Sequence, residues 1–68
     1  MTNTTMLKEI IKEKGIKYIV IANLLDMSPY TLRSRINNNT EFTVTEVVEL
    51  TKILNLDKKT REQIFMKG

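Results

Sequence analysis

The chain has 68 residues with a formal net charge of +3, and it contains neither cysteine nor histidine. Its length allows one small domain, residues 1–68, close to the size at which a single hydrophobic core only just outweighs chain entropy. Without thiols, imidazoles or a short Asp/Asn-rich cation loop, the sequence excludes disulfides and thiolate metal sites and argues against enzyme activity, bound metal or any other cofactor.

The first predicted helix spans about residues 5–14. Leu7, Ile10 and Ile11 recur there at the spacing of one helical face, so we expect that face to be buried. Gly15 follows directly, and glycine readily adopts the left-handed backbone that often ends a helix. The sequence therefore predicts a helix that stops at Gly15.

The second predicted helix, residues 17–25, is followed by a tight turn at Asp26 and Met27. Its inward-facing residues are Ile21, Ala22 and Leu25, again at helical spacing. Met27 is the apolar residue of the turn, and we expect it to plug the space beneath it. Two short helices joined by a tight turn are therefore predicted between residues 17 and 36.

The third predicted helix, residues 29–36, begins with Ser28-Pro29. Ser28 can cap free backbone N–H groups, and proline suits the first helical position because its missing donor would be unpaired there anyway. Leu32 and Ile36 form an apolar stripe. The opposite face carries the polar residues Tyr30, Arg33, Ser34 and Asn37. A helix fastened by one face and offering arginine and small polar groups on the other suits insertion into a DNA major groove.

The connection after the third helix contains three asparagines and one large apolar residue. Asn37, Asn38 and Asn39 end the helix, since asparagine tolerates positive φ better than any residue except glycine. Phe42 stands alone among polar residues, so we expect it to anchor this loop in the core.

A capping box of Thr43 and Glu46 begins the fourth predicted helix, residues 44–55. Its buried residues are Val47, Leu50 and Leu54. Asp57 caps the fifth predicted helix, residues 58–66. The apolar contacts of this last helix are Ile64 and Phe65. Because no alternating strand pattern competes seriously with these helices, we predict an all-α fold, a compact five-helix bundle.

The second helix carries more apolar residues than one buried face needs. The surplus residues are Ile19, Val20 and Leu24. Either the N-terminal segment and the fifth helix cover them, or they form a contact patch for another subunit. Of the two we expect the intramolecular cover, because isolated exposed aliphatic residues are common and need no partner.

The positive charge is concentrated in the first forty residues. Up to Thr40 the sequence contains six basic and three acidic residues, and beyond Thr40 it contains five of each. An excess in the part that contains the third helix is compatible with an anionic partner. The N-terminus lacks the basic and apolar run of a secretory signal, and no apolar run reaches the roughly 18 residues that span a membrane. We therefore expect a cytoplasmic location in a bacterium and no membrane partner.

The residues around the turn resemble the helix-turn-helix of the phage Cro and repressor family, the XRE-like proteins. The resemblance is carried by Ala22, Met27-Ser28, Leu32 and Ile36, and by the segments Arg35–Asn39, Glu41–Glu46 and Lys52–Leu56. These segments look like parts of small Cro-like regulators from phages or prophages of Gram-positive bacteria. Asp26 departs from the family, which usually has glycine at this left-handed position, at a cost of roughly 1 kcal/mol. The resemblance implies a lambda-repressor-like DNA-binding domain.

The resemblance also implies which residues touch DNA bases. It places these contacts on Ser28, Pro29, Tyr30, Arg33 and Ser34. Arg33 is the foremost candidate because its guanidinium can donate to guanine O6 and N7 together; alternatively it is a solvated surface charge. Tyr30 offers its ring to a thymine methyl or its hydroxyl to a phosphate. Pro29 offers only apolar contact, and Ser28 alternatively acts as a cap alone.

Phosphate contacts are expected on both sides of the third helix. The resemblance assigns Lys17 and Tyr18 to the DNA backbone, where the start of the second helix also favours an anion. The candidates on the other side of the groove are Arg35, Asn37, Asn38 and Asn39. Alternatively, the asparagines are turn formers that end the helix without touching DNA.

Two functions are compatible with this sequence. The first is a sequence-specific regulator of transcription, a Cro-like repressor that binds a pseudo-palindromic double-stranded DNA operator as a weak or DNA-induced homodimer. The fifth helix and the tail Phe65-Met66 are its candidate dimer contacts. The second is a protein-interaction adaptor, antitoxin-like or antirepressor, that uses the apolar surplus of the second helix. Neither function calls for a small-molecule ligand.

Overall fold

Five α-helices build the structure, a computed structural model in which residues 1–65 are described. The helices are α1 (Thr4–Lys14), α2 (Tyr18–Leu24), α3 (Pro29–Ile36), α4 (Val44–Leu54) and α5 (Lys58–Phe65). The prediction of an all-α, five-helix fold is confirmed, and the predicted bounds in this part agree within one residue. The predicted end of the fifth helix and the dimer contact of Met66 lie outside the described residues. None of the five helices has the length and hydropathy that a membrane crossing requires.

Polar side chains begin the helices as the sequence predicts. The Ser28 hydroxyl accepts from the Thr31 N–H at 3.1 Å, and Pro29 takes the first position of α3. At α4 the Thr43 hydroxyl accepts from the Glu46 N–H at 3.1 Å, while the Glu46 carboxylate accepts from the Thr43 N–H at 3.0 Å. Both caps satisfy backbone donors that the start of a helix leaves free.

Left-handed residues end the helices and form the tight turn. Gly15 follows α1 with φ 70°, Asp26 lies between α2 and α3 with φ 57°, Asn38 follows α3 with φ 65°, and Asn55 follows α4 with φ 53°. Glycine has no Cβ to clash in this conformation, and asparagine and aspartate are the side chains that tolerate it best. The terminators predicted at Gly15 and in the asparagine run are confirmed.

The core lies around α1, which contacts α3, α4 and α5, while α2 packs against α3. Its buried apolar residues are Leu7, Ile11, Ile21, Ala22, Leu25, Leu32, Ile36, Leu50, Leu54 and Ile64. All of them follow from helical spacing, and each leucine or isoleucine contributes roughly 1.5–3 kcal/mol relative to exposure. Phe42 anchors its loop as predicted, packing edge-to-face on Phe65 with ring centroids 5.5 Å apart. Ile10 and Val47, also expected inside, are half-buried.

The first residues of the chain tie the ends of α3 and α5 together. The Thr2 N–H donates to the Asn38 side-chain oxygen at 2.9 Å, and the Asn38 side-chain nitrogen donates to the Thr2 carbonyl at 2.8 Å and to the Thr4 hydroxyl at 3.2 Å. The Thr4 hydroxyl donates to the last carbonyl of α3. The Asn3 N–H donates to the Ile64 carbonyl at 2.7 Å. We call Thr2, Asn3, Thr4 and Asn38 the N-terminal clasp.

Three apolar residues of α2 face the solvent. Ile19, Val20 and Leu24 are 56%, 45% and 59% exposed, so the expected intramolecular cover is wrong. The N-terminal segment is held by Asn38 at the end of α3, and α5 packs against α1. Because both elements are held at these positions, neither lies over the exposed side of α2.

Asp57 caps α5 and couples stability to pH. Its exposed carboxylate accepts from the Thr60 N–H at 2.8 Å. This backbone hydrogen bond has the largest effect on the pKa of Asp57, and a hydrogen bond with the Thr60 hydroxyl has the next largest. Together they hold the pKa below its ordinary value of 3.8. A carboxylate whose pKa is lowered by folding stabilises the fold above its unfolded pKa, and this contribution is lost as the pH falls through the folded pKa.

We therefore expect Asp57 to contribute to acid unfolding below about pH 4. Asp57→Asn keeps an oxygen acceptor at the cap but removes the titration, so its unfolding free energy should fall less steeply in acid. Urea unfolding at a series of pH values measures this difference. Identical acid slopes for the two proteins would contradict the role of the Asp57 cap.

Candidate nucleic-acid interface

The turn between α2 and α3 sets the direction in which α3 leaves α2. The Asp26 N–H donates to the Asn23 carbonyl at 3.1 Å, and the Met27 N–H donates to the Ala22 carbonyl at 2.9 Å. Met27 is half-buried and packs against the core, as the predicted plug. These bonds, together with the left-handed backbone of Asp26, hold α3 in one orientation on α2.

One face of α3 is buried and the opposite face is exposed. Leu32 and Ile36 are 0% exposed, whereas Tyr30 is 79% exposed and Arg33 is also at the surface. No ion pair within residues 1–65 engages Arg33. The predicted division of α3 into an apolar inner stripe and a polar outer face is confirmed, and it leaves a guanidinium and a phenol ring in solvent.

The other three base-contact candidates lie closer to the protein. The exposed Ser28 hydroxyl accepts from the Thr31 N–H and donates to the Thr31 hydroxyl at 3.0 Å. Ser34 is half-buried, with its hydroxyl 3.2 Å from that of Thr40. Pro29 is half-buried as well. The geometry thus gives Ser28 a capping role. Among the five candidates, Tyr30 and Arg33 keep the freest side chains.

Three of the phosphate candidates have side chains at the surface. Lys17 is exposed just before α2, and Asn37 and Asn39 are exposed just after α3. Tyr18 is half-buried because its ring packs against the core. The ammonium group and the two amides are therefore available to an anion, and the Tyr18 side chain is divided between the core and the surface.

Arg35 joins the end of α3 to the start of α4. Its Nε donates to the Glu46 Oε1 at 2.7 Å, its Nη2 to the Oε2 at 3.3 Å, and its Nη1 to the Thr40 hydroxyl at 3.0 Å. The Arg35 and Glu46 side chains are 20% and 17% exposed, so salt screens this bidentate pair less than a surface pair. These bonds use three of the five guanidinium N–H hydrogens, so a phosphate contact by Arg35 would have to use the remaining two beside the ion pair. Sequence reasoning assigned Glu46 to its capping box alone and missed this second partner.

Asn38 belongs to the fold rather than to a phosphate site. Both hydrogens of its side-chain amide are donated within the N-terminal clasp, to the Thr2 carbonyl and the Thr4 hydroxyl. An asparagine amide has no third hydrogen to donate, so the phosphate contact predicted for the Asn38 side chain is corrected. The sequence signals only its left-handed backbone, because its partners are more than thirty residues away.

The exposed face of α3 offers a planar hydrogen-bond donor, an aromatic ring and flanking amides. Such groups bind an anionic, regularly shaped surface that displays acceptors in a groove. The side of α2 that carries Ile19, Val20 and Leu24 offers mainly apolar contact, with the exposed Asn23 among these residues. Comparison of the chain with protein families, with curated proteins and with solved structures gives no match.

Proposed function

We propose that the chain is a sequence-specific DNA-binding regulator of the helix-turn-helix type, a lambda-repressor-like domain that acts as a Cro-like repressor. In this proposal α2 and α3 are the two helices of the motif, and α3 enters the major groove. The observation that carries the proposal is the outward projection of Arg33 and Tyr30 from a helix whose Leu32 and Ile36 are fully buried. A rigidly seated helix with a free polar face is what direct readout of base edges requires.

The two free side chains of α3 would divide the base contacts between them. Arg33 donates two parallel hydrogen bonds to guanine O6 and N7, with a planar donor geometry that the lysine ammonium group lacks. Tyr30 packs its ring on a thymine methyl or donates its hydroxyl to a phosphate. Ser28, Pro29 and Ser34 lie nearer the helix surface and contribute contacts where the groove wall approaches α3. Specificity therefore depends chiefly on Arg33.

Phosphate contacts would fix the register of α3 in the groove without reading sequence. Lys17 supplies a positive charge before α2, with the Tyr18 hydroxyl beside it in sequence. Asn37 and Asn39 supply amide donors after α3. Their exposed side chains support this role, while the Arg35 ion pair keeps α3 and α4 together instead.

One domain contacts only a few base pairs through a single helix, so useful specificity requires two copies. The operator would be a pseudo-palindrome whose half-sites lie about 34 Å apart, one turn of the duplex. Such a regulator would act in the cytoplasm of a bacterial cell, on the DNA of a phage or its host.

A second candidate function is a protein-interaction adaptor, antitoxin-like or antirepressor. It is favoured by one observation, the solvent exposure of Ile19, Val20 and Leu24 on α2. An apolar patch on a monomer often marks a partner surface. In this case the partner protein would bind these three exposed residues of α2, and the side of α3 that carries Arg33 would have no ligand.

Selection from random double-stranded oligonucleotides, followed by a salt titration on the selected sequence, tests the proposal. A regulator should enrich one sequence class, and its affinity should fall steeply between about 50 and 200 mM salt because phosphate contacts release counterions. An adaptor should enrich none and should bind all duplexes at about micromolar level or weaker. The second outcome would contradict the proposed function.

Lys17→Ala is expected to weaken binding about equally on all duplexes and to reduce the salt slope by about one. The reason is that a lysine bound to a phosphate adds affinity without reading bases. Lys8→Ala, which removes the same charge from the exposed surface of α1, is the matched control and should leave the slope unchanged. Fluorescence anisotropy at several salt concentrations measures both. Equal slopes for the two variants would contradict the Lys17 contact.

A further inference from the structure

A chain of hydrogen bonds leads from a shielded ion pair to the outward face of α3. The Arg35 guanidinium donates to the Glu46 carboxylate from Nε and Nη2, and its Nη1 donates to the Thr40 hydroxyl at 3.0 Å. The Thr40 hydroxyl in turn lies 3.2 Å from the Ser34 hydroxyl. We call these four residues the polar relay. It connects the first turn of α4 with a side chain that the proposed function places in the DNA groove.

The ion pair keeps one end of the polar relay fixed. The side chains of Arg35 and Glu46 are only 20% and 17% exposed, and their contact is bidentate, which holds the guanidinium plane in one orientation. The third donor of that plane, Nη1, is thereby aimed at Thr40. The backbone holds this segment as well, because the Thr40 N–H donates to the Ser34 carbonyl at 3.3 Å. The Thr40 hydroxyl therefore has a fixed place, although the residue is exposed.

The charge on Arg35 sets the direction of the next hydrogen bond. A hydroxyl has one hydrogen to donate and two lone pairs that accept. The Thr40 oxygen accepts from a cationic donor, so its hydroxyl is most stable with the hydrogen turned away from the guanidinium, towards the Ser34 oxygen. Within the protein the Ser34 hydroxyl is then an acceptor. Its own hydrogen has no acceptor in the part of the chain that the structure describes.

Ser34 lies on the side of α3 that the proposed function turns towards the base pairs. It follows Tyr30 by four residues, so the two side chains share one face of the helix, and Tyr30 is 79% exposed. We propose that the polar relay makes Ser34 a hydrogen-bond donor to the N7 atom of a purine, and that Thr40 is the positioning residue that fixes this direction. The inference rests on the proposed function and adds to it a second base contact, besides that of Arg33.

A single donor distinguishes fewer bases than a guanidinium does. Arg33 selects guanine because it bonds O6 and N7 together, whereas one hydrogen bonded to N7 accepts adenine and guanine alike, since both purines present N7 in the major groove. The operator should therefore show a purine of either kind at one position other than the guanine that Arg33 reads.

Thr40→Val tests the polar relay, because valine keeps the shape of threonine without its hydroxyl. Without that hydroxyl the Ser34 hydrogen is free to turn to the carbonyl one turn back in its own helix, as serine hydroxyls in helices do. Affinity for the selected operator should then fall about two- to fivefold. Thr40→Ser keeps the hydroxyl and should bind like the wild type. Thr45→Val is the matched control, since Thr45 is also exposed and lies in the first turn of α4.

The operator supplies the second arm of the test. Each purine of a half-site is replaced in turn by its 7-deaza analogue, which lacks the N7 acceptor, and binding is measured by fluorescence anisotropy at fixed salt. One replacement outside the guanine of Arg33 should weaken the wild type about three- to tenfold and leave Ser34→Ala unaffected. Once Ser34 is alanine, Thr40→Val should have no further effect, because it acts through Ser34. Circular dichroism establishes that every variant is folded.

Three results would overturn the polar relay. They are a Thr40→Val variant that binds no worse than Thr45→Val, an undiminished loss from Thr40→Val once Ser34 is alanine, and a Ser34→Ala variant that responds to every 7-deaza purine as the wild type does. The outcomes separate this proposal from the proposed function. A selected operator on which Thr40 and Ser34 act independently refutes the polar relay alone, whereas selection of no sequence refutes the DNA-binding function and the polar relay with it.

Discussion

Arg33→Ala should weaken binding to the selected operator by about 1–3 kcal/mol and relax the base preference at one position. The Arg33 guanidinium is exposed and takes part in no ion pair within the described residues. Its removal therefore costs the fold little. The loss falls on the complex, where a bidentate hydrogen bond to one base pair disappears together with one positive charge.

A second variant separates these two losses. Arg33→Lys keeps the charge but not the planar pair of donors, so it should keep most of the salt dependence and still lose preference at the same position. Binding of each variant to the operator and to its single-base-pair substitutions, at fixed salt, measures both effects. If Arg33→Ala discriminated among these sequences as the wild type does, the assignment of the reading face would be wrong.

The outward face of α3 was predictable because it depends on local chemistry. Ser28-Pro29 fixes where the helix begins, and the spacing of Leu32 and Ile36 then fixes which side turns inward. The position of Arg33 at the surface follows from this register. The same reasoning gave the capping box of α4 and the left-handed terminator at Gly15, since each needs only a few neighbouring residues, whereas the left-handed turn at Asp26 was implied by the family resemblance.

The hydrogen-bond partners of Arg35 and Asn38 could not be predicted, because they lie far away in the sequence. Arg35 finds Glu46 across eleven residues, and Asn38 finds Thr2 across thirty-six. No sequence pattern links such pairs, because their meeting depends on how the helices pack. Both residues are polar and lie at or just after the end of α3, so sequence alone favoured a DNA contact. Packing gave them intramolecular partners instead.

The exposure of one side of α2 also could not be predicted from the sequence. Apolar residues at Ile19, Val20 and Leu24 predict burial under any scale of hydrophobicity. Whether they are buried depends on what lies above them, and the N-terminal segment is committed elsewhere. A small domain has few elements with which to cover its surface. Residual apolar area is therefore expected on some face, and its location follows from the tertiary contacts.

Asn38→Ala should lower the free energy of unfolding by about 2–4 kcal/mol. Two losses add up at this position. A left-handed backbone with φ 65° becomes strained once the residue is alanine. The hydrogen bonds that the side chain exchanges with Thr2 and Thr4 disappear as well, and they leave the buried Thr2 backbone without partners. For a chain of this length, with a total stability of about 3–10 kcal/mol, the change is large.

Asn38→Gly separates the two losses, because glycine accepts the positive φ but has no amide. It should retain the part of stability that alanine loses to strain and should still lack the hydrogen bonds that the Asn38 side chain exchanges with Thr2 and Thr4. Asn37→Ala is the control, since Asn37 is exposed with φ −88°, and it should change stability by less than about 0.5 kcal/mol. Urea unfolding measures all three variants. If Asn38→Gly were as stable as the wild type, the side-chain hydrogen bonds of Asn38 would contribute nothing to stability, and backbone strain would account for the whole loss in Asn38→Ala.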